Sequence, residues 1–376
     1  DGTWAVGRYD TATGRIDLAR ITTPKADERD SLLELAFAPD GSVWTGSSSH
    51  LHRVDPTNMT LRSFPLPKTS MLSGGVYVAP DGGVWYAVVT QDVLVRLDPS
   101  RGQFTEHPTP SKPFGPLHME QGPSGAFLTA TYGDTYASLN PGERTMTAGP
   151  KGILDAPVGL THRDGILWAA EMGWSTVARV DLATGSAEHF PTSPSPYYQI
   201  SGPSDILVAK DGGAWFVQHF ADKVARLDPV KRTLHEWEVP SAPGTNMQYL
   251  AEAPDGTIWF AEWSANKLGR VRDDGREASF TLPEPVSVQR GGTQRVPLSI
   301  QGEVVVNGPE VNLTATWDGS AVVVDATKAE AGNYNVLVAE KQGKENLGRF
   351  LEVQVVEPVK SAPGPEAALV ALLLVG

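Results

Sequence analysis

Two carboxylates lie at the same distance after a recurring aromatic residue of this chain. Glu171 is three residues after Trp168, and Glu262 is three residues after Trp259. Side chains at equivalent positions of a repeat can meet around a common axis, where two carboxylates could share a divalent cation such as Ca²⁺ or Mg²⁺ through oxygen ligands. The structural alternative is that each carboxylate accepts hydrogen bonds from a turn of its own repeat unit.

The repeat that carries these carboxylates runs from about residue 30 to residue 283. Each unit contains Asp-Gly, a short gap, an aromatic residue, an Arg-x-Asp element and an alternating segment that ends in proline. The marker aromatic residues, spaced by 41 to 47 residues, are Trp44, Trp85, Phe127, Trp168, Trp215 and Trp259. Asp-Gly favours tight hairpin turns, and alternating polar and apolar residues predict strands. Four short strands in every ~40–45 residues are typical of a β-propeller blade.

These units predict an all-β fold with a seven-bladed β-propeller over residues 1–283. Six units are complete by sequence. The segment from Trp4 to Thr23 supplies only the last two strands of another, with Arg8 and Asp10 in the Arg-x-Asp position. The first blade is therefore incomplete in this chain. Its inner strands would lie upstream of Asp1 or be supplied by another segment.

Polar residues near the ends of the predicted strands are candidates for ligand binding, together with Glu171. Gln218 takes the place of the carboxylates in the fifth unit, and His219 follows it. His118 and His219 are candidates for the mouth of the central channel, and Gln248 lies on a predicted inner strand. The histidines of three outer strands are expected to face solvent instead; they are His107, His189 and His235.

A second pattern of strands follows once the repeat stops after Pro283. Six or seven alternating segments in residues 284–357 predict a small Ig-like β-sandwich. Trp317 is the candidate core aromatic residue. The segment Ala331 to Tyr334 resembles the corner that enters the penultimate strand of such domains.

The end of the chain predicts attachment to a membrane. Residues 358–366 are a polar, Pro-rich linker, and residues 367–375 are all apolar. Nine residues at a rise of ~1.5 Å cover ~14 Å, whereas a bilayer core is ~30 Å thick. Residues 367–376 are therefore interpreted as the start of a C-terminal membrane anchor. The alternative is a terminal strand or helix that packs into the core.

Composition and charge exclude several classes of function. The 376 residues include 44 acidic and 31 basic side chains, a net charge of −13, and no cysteine. This charge disfavours nucleic-acid binding, which requires clustered basic residues. The lack of cysteine excludes disulfides, thiolate catalysis and cysteine-ligated metal sites. Two Asn-x-Thr sequences, at Asn58 and Asn312, are candidate glycosylation sites in an exported protein.

The last complete unit resembles a known family of propeller enzymes. Residues 259–271 read Trp-Phe-Ala-Glu-Trp-Ser-Ala-Asn-Lys-Leu-Gly-Arg-Val. This is similar to the Trp-Phe-Thr-Glu-x-x-x-Asn-Lys-Ile-Gly-Arg-Ile element of the virginiamycin B lyase, or streptogramin lyase, family. Weaker copies begin at Trp168 and Trp215. The resemblance covers roughly residues 1–283 and implies a seven-bladed propeller.

The resemblance also implies an activity. In the family, a Mg²⁺-assisted elimination opens the ester of a cyclic peptide antibiotic. A glutamate three residues after a blade tryptophan works there with histidines from neighbouring inner strands. Glu262 matches this glutamate, but fourteen residues upstream, in the expected place of a partner histidine, this chain has Gln248. Glutamine cannot accept a proton near neutral pH, so it cannot replace a histidine as general base.

Together these observations predict an exported protein held at the extracellular face of the cell membrane by residues 367–376. Its expected role is to bind a ligand or partner, or to pack into a cell-surface assembly with other cell-surface or membrane proteins, without catalysis. The alternative is a metal-assisted C–O lyase of the streptogramin lyase type that uses Glu262 with Mg²⁺ or Ca²⁺.

Overall fold

The computed structural model describes residues 4–22, 32–72, 74–140, 146–309 and 313–358. Within these ranges the protein consists of β-strands and loops, with short 3₁₀ turns at Val89–Gln91 and Pro123–Gly125. The prediction of an all-β fold is therefore confirmed. No helix in these ranges is long and apolar enough to cross a membrane. The predicted anchor at residues 367–376 and nearly all of the linker before it lie outside the described residues.

Seven antiparallel sheets succeed one another along the described part of the first 271 residues, and each sequence unit forms one of them. The first sheet has two strands, β1 (Ala5–Tyr9) and β2 (Ile16–Arg20). The next three sheets have four strands each: β3 (Leu35–Phe37), β4 (Val43–Gly46), β5 (His50–Asp55) and β6 (Thr60–Pro65); β7 (Val76–Val78), β8 (Val84–Val88), β9 (Val93–Asp98) and β10 (Gln103–Pro108); β11 (Pro116–Gln121), β12 (Phe127–Thr131), β13 (Ala137–Leu139) and β14 (Met146–Ala148). The last three sheets of this series contain β15 (Pro157–Arg163), β16 (Ile166–Glu171), β17 (Thr176–Asp181) and β18 (Ala187–Pro191); β19 (Pro203–Val208), β20 (Ala214–Gln218), β21 (Lys223–Asp228) and β22 (Thr233–Glu238); and β23 (Met247–Glu252), β24 (Ile258–Glu262) and β25 (Lys267–Val271).

The first strands of consecutive sheets contact one another, so they line a common channel. These contacts run from β3 through β7, β11, β15 and β19 to β23. Among the described residues, the first sheet contains β1 and β2 alone. Tyr9 of β1 packs on Trp259 of β24, with 5.7 Å between ring centroids. The number of blades in a closed ring stays a prediction.

The Asp-Gly turn and the Arg-x-Asp element of a unit bind each other. In three units the arginine donates to the turn aspartate: Arg53 to Asp40 (2.7 Å), Arg96 to Asp81 (2.6 Å) and Arg226 to Asp211 (2.9 Å). The glycine that follows each of these aspartates has a φ between +79° and +87°, which favours glycine because it has no Cβ. Where the turn aspartate is replaced by Ser124, the arginine is also replaced, by Ser138. The two sequence signals therefore describe one pair of facing side chains.

A second group of strands follows the propeller sheets. Its strands are β26 (Val286–Gln289), β27 (Thr293–Pro297), β28 (Glu303–Asn307), β29 (Thr314–Trp317), β30 (Ala321–Asp325), β31 (Gly332–Gln342) and β32 (Glu345–Val356). One sheet contains β27, β30 and β29, and the other contains β26, β28, β31 and β32. Leu313, Val322, Val336 and Leu351 are fully buried in the core of this second group. Tyr334 donates its hydroxyl to the carbonyl of Glu330 (2.9 Å), as in the tyrosine corner of Ig-like domains; the Ig-like topology stays a prediction.

The segment between the two groups of strands belongs to the second core. Ala278 and Phe280 lie before the predicted boundary at residue 283, yet they are buried in the core of the second group. The hydroxyl of Ser279 donates to Glu340 across 2.6 Å. Because the chain leaves the propeller after Val271, the last propeller sheet has only three strands. The prediction of a complete sixth unit is therefore wrong at its fourth strand.

The two groups of strands share one sheet. β32 pairs antiparallel with the outer strand β22, from Thr233 opposite Arg349 to Trp237 opposite Glu345. The resulting sheet has eight strands in the order β19-β20-β21-β22-β32-β31-β28, with β26 paired to β32. The second group is thus hydrogen-bonded to the edge of the propeller.

A buried carboxylate lies at this seam. Glu236 of β22 is fully buried and accepts hydrogen bonds from Gln218 Nε2 (2.7 Å) and Asn346 Nδ2 (2.9 Å). The backbone amide of Ser193 donates across 3.0 Å, and Lys223 Nζ lies 3.8 Å away. Burial raises the pKa of Glu236, but the lysine and the hydrogen bonds lower it more, so the pKa lies below its usual range. The group is therefore a carboxylate fixed by both sides of the seam.

Apolar side chains from both groups pack at the same seam. Phe350 of β32 lies edge-on to Phe190 of β18, with ring centroids 5.1 Å apart and planes at 73°. Leu337 and Ala339 of β31 are buried beside Phe216 of β20. One core therefore continues from the propeller into the second group.

We expect Glu236→Ala to destabilise the full chain by about 3–5 kcal/mol, because it leaves the buried Lys223 without its carboxylate. Urea unfolding followed by tryptophan fluorescence measures this loss. The control is Glu106→Ala, which removes a half-exposed ion pair with Lys68 (2.6 Å) and should cost little. Equal losses in the two variants would contradict a structural role for the buried carboxylate.

Candidate functional site

A pocket of about 510 Å³ lies where the inner strands face the channel. Its apolar walls come from β3, β23 and β24 and include Leu35, Leu250 and Trp259. The ionisable side chains that line it are Glu34, His118, Glu120, Asp205 and Tyr249. Among the described residues, the lining thus holds three carboxyl groups, one imidazole and one phenol, with neither lysine nor arginine.

Most of these ionisable groups occupy one position of the repeat. Glu34, His118, Asp205 and Tyr249 each lie six residues before the first residue of the hairpin turn of their unit; these turns begin at Asp40, Ser124, Asp211 and Asp255. Because the units repeat around the channel, equivalent positions of the inner strands lie at a similar level in it. The four side chains form a partial ring, which we call the channel ring.

Glycine in the intervening units lets these side chains approach one another. A Cβ on Gly75 would lie 2.8 Å from Glu34 Oε2 and 2.9 Å from the Cα of His118. A Cβ on Gly159 would lie 2.7 Å from the Cα of Asp205 and 3.2 Å from its Oδ1. Any larger residue at these two places would displace a member of the ring.

The Glu34–His118 pair carries the strongest electrostatic interaction of the ring. The Nδ1 atom of His118 lies 3.3 Å from Glu34 Oε1, and the two side chains are only 14% and 11% exposed. Burial lowers the pKa of His118, but the carboxylate of Glu34, and behind it those of Asp205 and Glu120, raise it further, to about 10. His118 is therefore an imidazolium at neutral pH. Its Nε2 atom is buried and has no hydrogen-bond partner among the described residues.

Asp205 titrates near neutral pH. Burial raises the pKa of its carboxyl to about 7, against the charge of His118 and the backbone N–H of Leu250, which donates across 2.9 Å. Burial likewise raises the pKa of Glu120. The pKa of the Tyr249 phenol is well above its usual range because of burial and the nearby carboxylates. Groups with such shifted pKa values in a cleft are candidates for a functional site.

Of the residues predicted from the sequence, His118 lies in this pocket and Glu171 does not. Glu171 Oε1 accepts the backbone N–H of Asp155 (2.9 Å). Its Oε2 accepts the hydroxyl of Thr176 (2.5 Å) and lies 2.8 Å from His189 Nδ1. These contacts match the structural alternative, in which the carboxylate is satisfied locally. In the described part of the chain no contact joins it to Glu262, two sheets further on.

The structure brings two other predicted residues together. His219 Nδ1 lies 3.0 Å from the carbonyl oxygen of Met247 and 3.0 Å from Gln248 Nε2. Burial lowers the pKa of His219, which favours the neutral ring. Gln218, which precedes His219 in the sequence, donates a hydrogen bond to Glu236 at the seam instead.

Glu262 is placed differently from its counterparts in the two preceding sheets. It is 4% exposed, and its Oε2 atom is buried without a hydrogen-bond partner among the described residues. In the preceding sheets the fourth strand supplies the partner, His189 for Glu171 and Glu236 for Gln218. The sheet of Glu262 has no fourth strand to supply such a partner. Among the described residues, the Oε1 atom of Gln218 is likewise buried without a hydrogen-bond partner.

Of the candidate glycosylation sites, one is described. Asn58 lies exposed in the turn after β5, and its Oδ1 accepts the backbone N–H of Thr60 (2.9 Å). Asn312 lies outside the described residues.

The prediction that the outer-strand histidines face solvent is wrong. His107 and His235 are 8% and 5% exposed. Their rings pack on Trp85 and Trp237, with centroids 4.6 Å and 3.6 Å apart. His189 binds the buried Glu171. The polar sequence around these residues suggested exposure, but tertiary packing covers them.

Sequence reasoning missed four members of the pocket, which are Glu34, Glu120, Asp205 and Tyr249. The signal for three of them was present as the fixed distance of six residues before a hairpin turn. Aligning the units on their turns instead of on their tryptophans finds the channel ring. Glu120 has no such signal.

Comparison with known proteins shows which fold this chain resembles. No family model matches the sequence. A virginiamycin B lyase from Nocardia farcinica is 31% identical over 215 residues, which are 56% of this chain and 70% of that protein. The solved virginiamycin B lyase of Staphylococcus aureus superposes with a TM-score of 0.60 at 20% identity, over 71% of this chain and 87% of that one. A streptogramin B lyase structure gives 0.59 at 22% identity, over 73% and 85%. A catalytically inactive form of the Staphylococcus aureus enzyme with quinupristin gives 0.61 at 20% identity, over 71% and 87%. The fold is therefore that of a streptogramin lyase-like β-propeller.

We expect Asp205→Asn to stabilise the protein more at pH 8 than at pH 5. The pKa of about 7 in the folded protein lies above the ordinary value of ~4, so the folded state holds a proton that the unfolded state has released. The contribution of this group to stability is therefore present at low pH and is lost as the pH rises through the folded pKa. Asparagine keeps an acceptor for Leu250 and does not ionise.

Thermal unfolding midpoints of the wild-type chain and the variant at pH 5 and pH 8 measure this difference. The control is Asp318→Asn, since the Arg295 guanidinium and nearby amides lower the pKa of Asp318 to about 2, which leaves it ionised at both pH values. An effect of Asp205→Asn that is the same at both pH values would show that Asp205 does not titrate in this range.

Proposed function

We infer the function from one premise: the chain belongs to the virginiamycin B lyase family. We propose that this member binds a small amphipathic cation in the channel pocket and performs no catalysis, so that it acts as a ligand-binding or assembly module. The observation that carries the proposal is the described lining of the pocket, in which three carboxyl groups and an imidazole occur without lysine or arginine.

The chemistry of the pocket supports a ligand with a positive end and an apolar body. An ammonium group would be attracted by Glu34 and Asp205 and by the ring of Tyr249, since aromatic rings bind cations. The apolar body would pack on Leu250 and the neighbouring walls. The volume of about 510 Å³ is in the range of ordinary small-molecule sites.

The absence of catalysis is supported by the surroundings of Gln248. Its amide lies beside His219 Nδ1, which also faces the Met247 carbonyl. Glutamine cannot take up a proton, and the lowered pKa of His219 makes that ring a weak base. Among the described residues, Gln248 and His219 therefore do not supply a general base of the type that the family resemblance implies.

The alternative function is a metal-assisted C–O lyase that uses Glu262. The observation that favours it is the buried Oε2 atom of Glu262, which has no hydrogen-bond partner in the described part of the chain. Such an oxygen could contribute to a Mg²⁺ or Ca²⁺ site. Glu171 is not part of the same site, because it belongs to a sheet two places before that of Glu262 and no contact joins the two carboxylates among the described residues.

The location belongs to the proposal as well. We propose that the protein lies at the extracellular face of a cell membrane, attached through residues 367–376, and meets other surface or membrane proteins there. The support is the apolar sequence of residues 367–375 after a Pro-rich linker, because such a run exposed to water would promote aggregation.

We expect phenethylamine to bind the pocket about 5-fold more tightly than the neutral phenethyl alcohol, because a cation gains ~1 kcal/mol from the aromatic ring. Phenylacetate should not bind. Asp205→Asn should reduce the preference for the amine, whereas Asp211→Asn, which removes the same charge from the exposed turn of the same unit, should leave it unchanged. Calorimetric titration of the full chain at pH 8 measures all three probes. Equal binding of amine and alcohol would contradict the proposed ligand class.

The same protein with Mg²⁺ is expected to leave quinupristin intact, as followed by mass spectrometry. If the wild-type chain forms a linear product and Glu262→Gln does not, the lyase alternative replaces the binding proposal.

We expect removal of residues 361–376 to leave the thermal unfolding midpoint nearly unchanged and to move the protein from the membrane to the soluble fraction of expressing cells. The reason is that both described cores are complete without this segment. Unfolding of the truncated chain, or a full chain that is soluble without detergent, would contradict the anchor.

A further inference from the structure

Three potential metal ligands meet at the junction of the propeller and the second group of strands. They are His235 of β22 and Asp273 and Asp274 of the segment that follows β25, and we call them the junction cluster. One ligand atom from each lies within 4.8 Å of the others. A cavity of about 30 Å³, enough for one water-sized occupant, is lined by His235 and Asp273.

The orientation of His235 is the feature that points to a cation. Its side chain is 6% exposed, and its Nδ1 atom is buried without a hydrogen-bond partner among the described residues. This nitrogen lies 3.6 Å from Asp273 Oδ1 and 4.0 Å from Asp274 Oδ1. A buried polar atom without a hydrogen-bond partner costs free energy. An unprotonated Nδ1 would face two carboxylate oxygens, and none of these three atoms could donate a hydrogen bond to another.

The other ring nitrogen of His235 also supports a bound cation. His235 Nε2 lies 3.1 Å from Glu345 Oε2 of β32. Metal-binding histidines commonly donate their second N–H to a carboxylate, which fixes the tautomer and directs the free lone pair to the metal. Here that arrangement would direct the Nδ1 lone pair into the junction cluster.

The remaining carboxylate oxygens are held from outside the cluster. Asp273 Oδ2 lies 3.4 Å from the Nε atom of Arg226, and Asp274 Oδ2 lies 2.6 Å from the Nε atom of Arg276. The other oxygen of each aspartate faces the histidine and accepts one backbone N–H, from Gly275 to Asp273 Oδ1 (3.0 Å) and from Arg276 to Asp274 Oδ1 (3.1 Å). A second lone pair of each of these oxygens stays available for a cation.

The charges around the cluster leave an excess of carboxylates. Arg226 is shared with Asp211 and Asp228, and Arg276 also binds Glu345. With the two cluster aspartates, five carboxylates surround two guanidinium groups. The nearby Lys231 is paired with Glu277 (2.6 Å) and does not change this balance.

We propose that the junction cluster binds a divalent transition metal of the Zn²⁺ type through His235 Nδ1, Asp273 Oδ1 and Asp274 Oδ1. Imidazole and carboxylate ligands suit such ions. Bonds of ~2.0–2.1 Å in a tetrahedral site place ligand atoms ~3.3 Å apart. The distances of 3.6 Å and 4.0 Å from His235 Nδ1 to the two carboxylate oxygens are close to this spacing, so a contraction of the cluster forms three corners, and water supplies the fourth. The ion would join β22, the segment after β25 and, through Glu345, β32.

The test is calorimetric titration of the untagged, chelator-treated full chain with ZnCl₂. The expected result is one site per chain. Asp274→Asn and His235→Gln should each weaken binding by at least ~10-fold. Asp318→Asn, which removes the same charge from a remote turn of the second group, should bind as the wild type does. Co²⁺ in place of Zn²⁺ should give the visible absorption of a four-coordinate nitrogen and oxygen site in the wild type and not in Asp274→Asn.

Asp274 is half-exposed, so its variant should fold even if His235→Gln does not. Absence of Zn²⁺ binding, or equal binding by Asp274→Asn, would overturn the proposal. So would NMR evidence that His235 keeps both ring protons in the presence of Zn²⁺, because the cluster would then be closed by an imidazolium. None of these outcomes depends on the ligand of the channel pocket.

Discussion

The rest of the structure depends on how the edge of β22 is paired. Once the second group of strands covers this edge, its backbone N–H and C=O groups must find partners, because buried unpaired polar groups are costly. β32 supplies them over five residue pairs. That pairing brings Glu236 out of contact with water, and its carboxylate is held by Asn346 from one side and Gln218 from the other. The seam is therefore a continuous sheet with a buried polar cluster, and both groups of strands belong to this sheet.

The same repeat position has three different outcomes in consecutive sheets, and the fourth strand decides between them. The residue three positions after the tryptophan is bonded to His189 in one sheet and to Glu236 in the next. In the last sheet the chain leaves for the second core, and Glu262 keeps a buried oxygen without a partner in the described structure. This repeat position thus holds Glu171, whose two oxygens are bonded, and two side chains that each keep a buried oxygen without a partner in the described structure, Gln218 and Glu262. An oxygen of this kind therefore does not by itself assign catalysis to Glu262.

The channel is organised by a second position of the repeat. Glycine in two units leaves the space in which Glu34, His118 and Asp205 interact. The nearby carboxylates raise the pKa of His118, and burial raises the pKa of Asp205. Leu35 and Trp259 are among the apolar residues that line the pocket. The carboxyl groups, the Tyr249 ring and the apolar walls of this lining support the proposed cationic, amphipathic ligand.

The sequence by itself determined the strands, the hairpin turns and the family, because these depend on local signals. A turn at Asp-Gly depends only on the φ angles of its own residues, and a strand depends only on the alternation of polar and apolar residues. The Arg-x-Asp element pairs with a turn in the same unit. Tertiary structure alone decided which polar residues meet. His235 looked exposed on a polar strand, yet β32 and the segment after β25 enclose it. Glu171 and Glu262 looked equivalent, yet only one has a fourth strand beside it. The physical reason is that burial and pairing depend on segments distant in the chain, and a periodic sequence does not record which unit meets which neighbour.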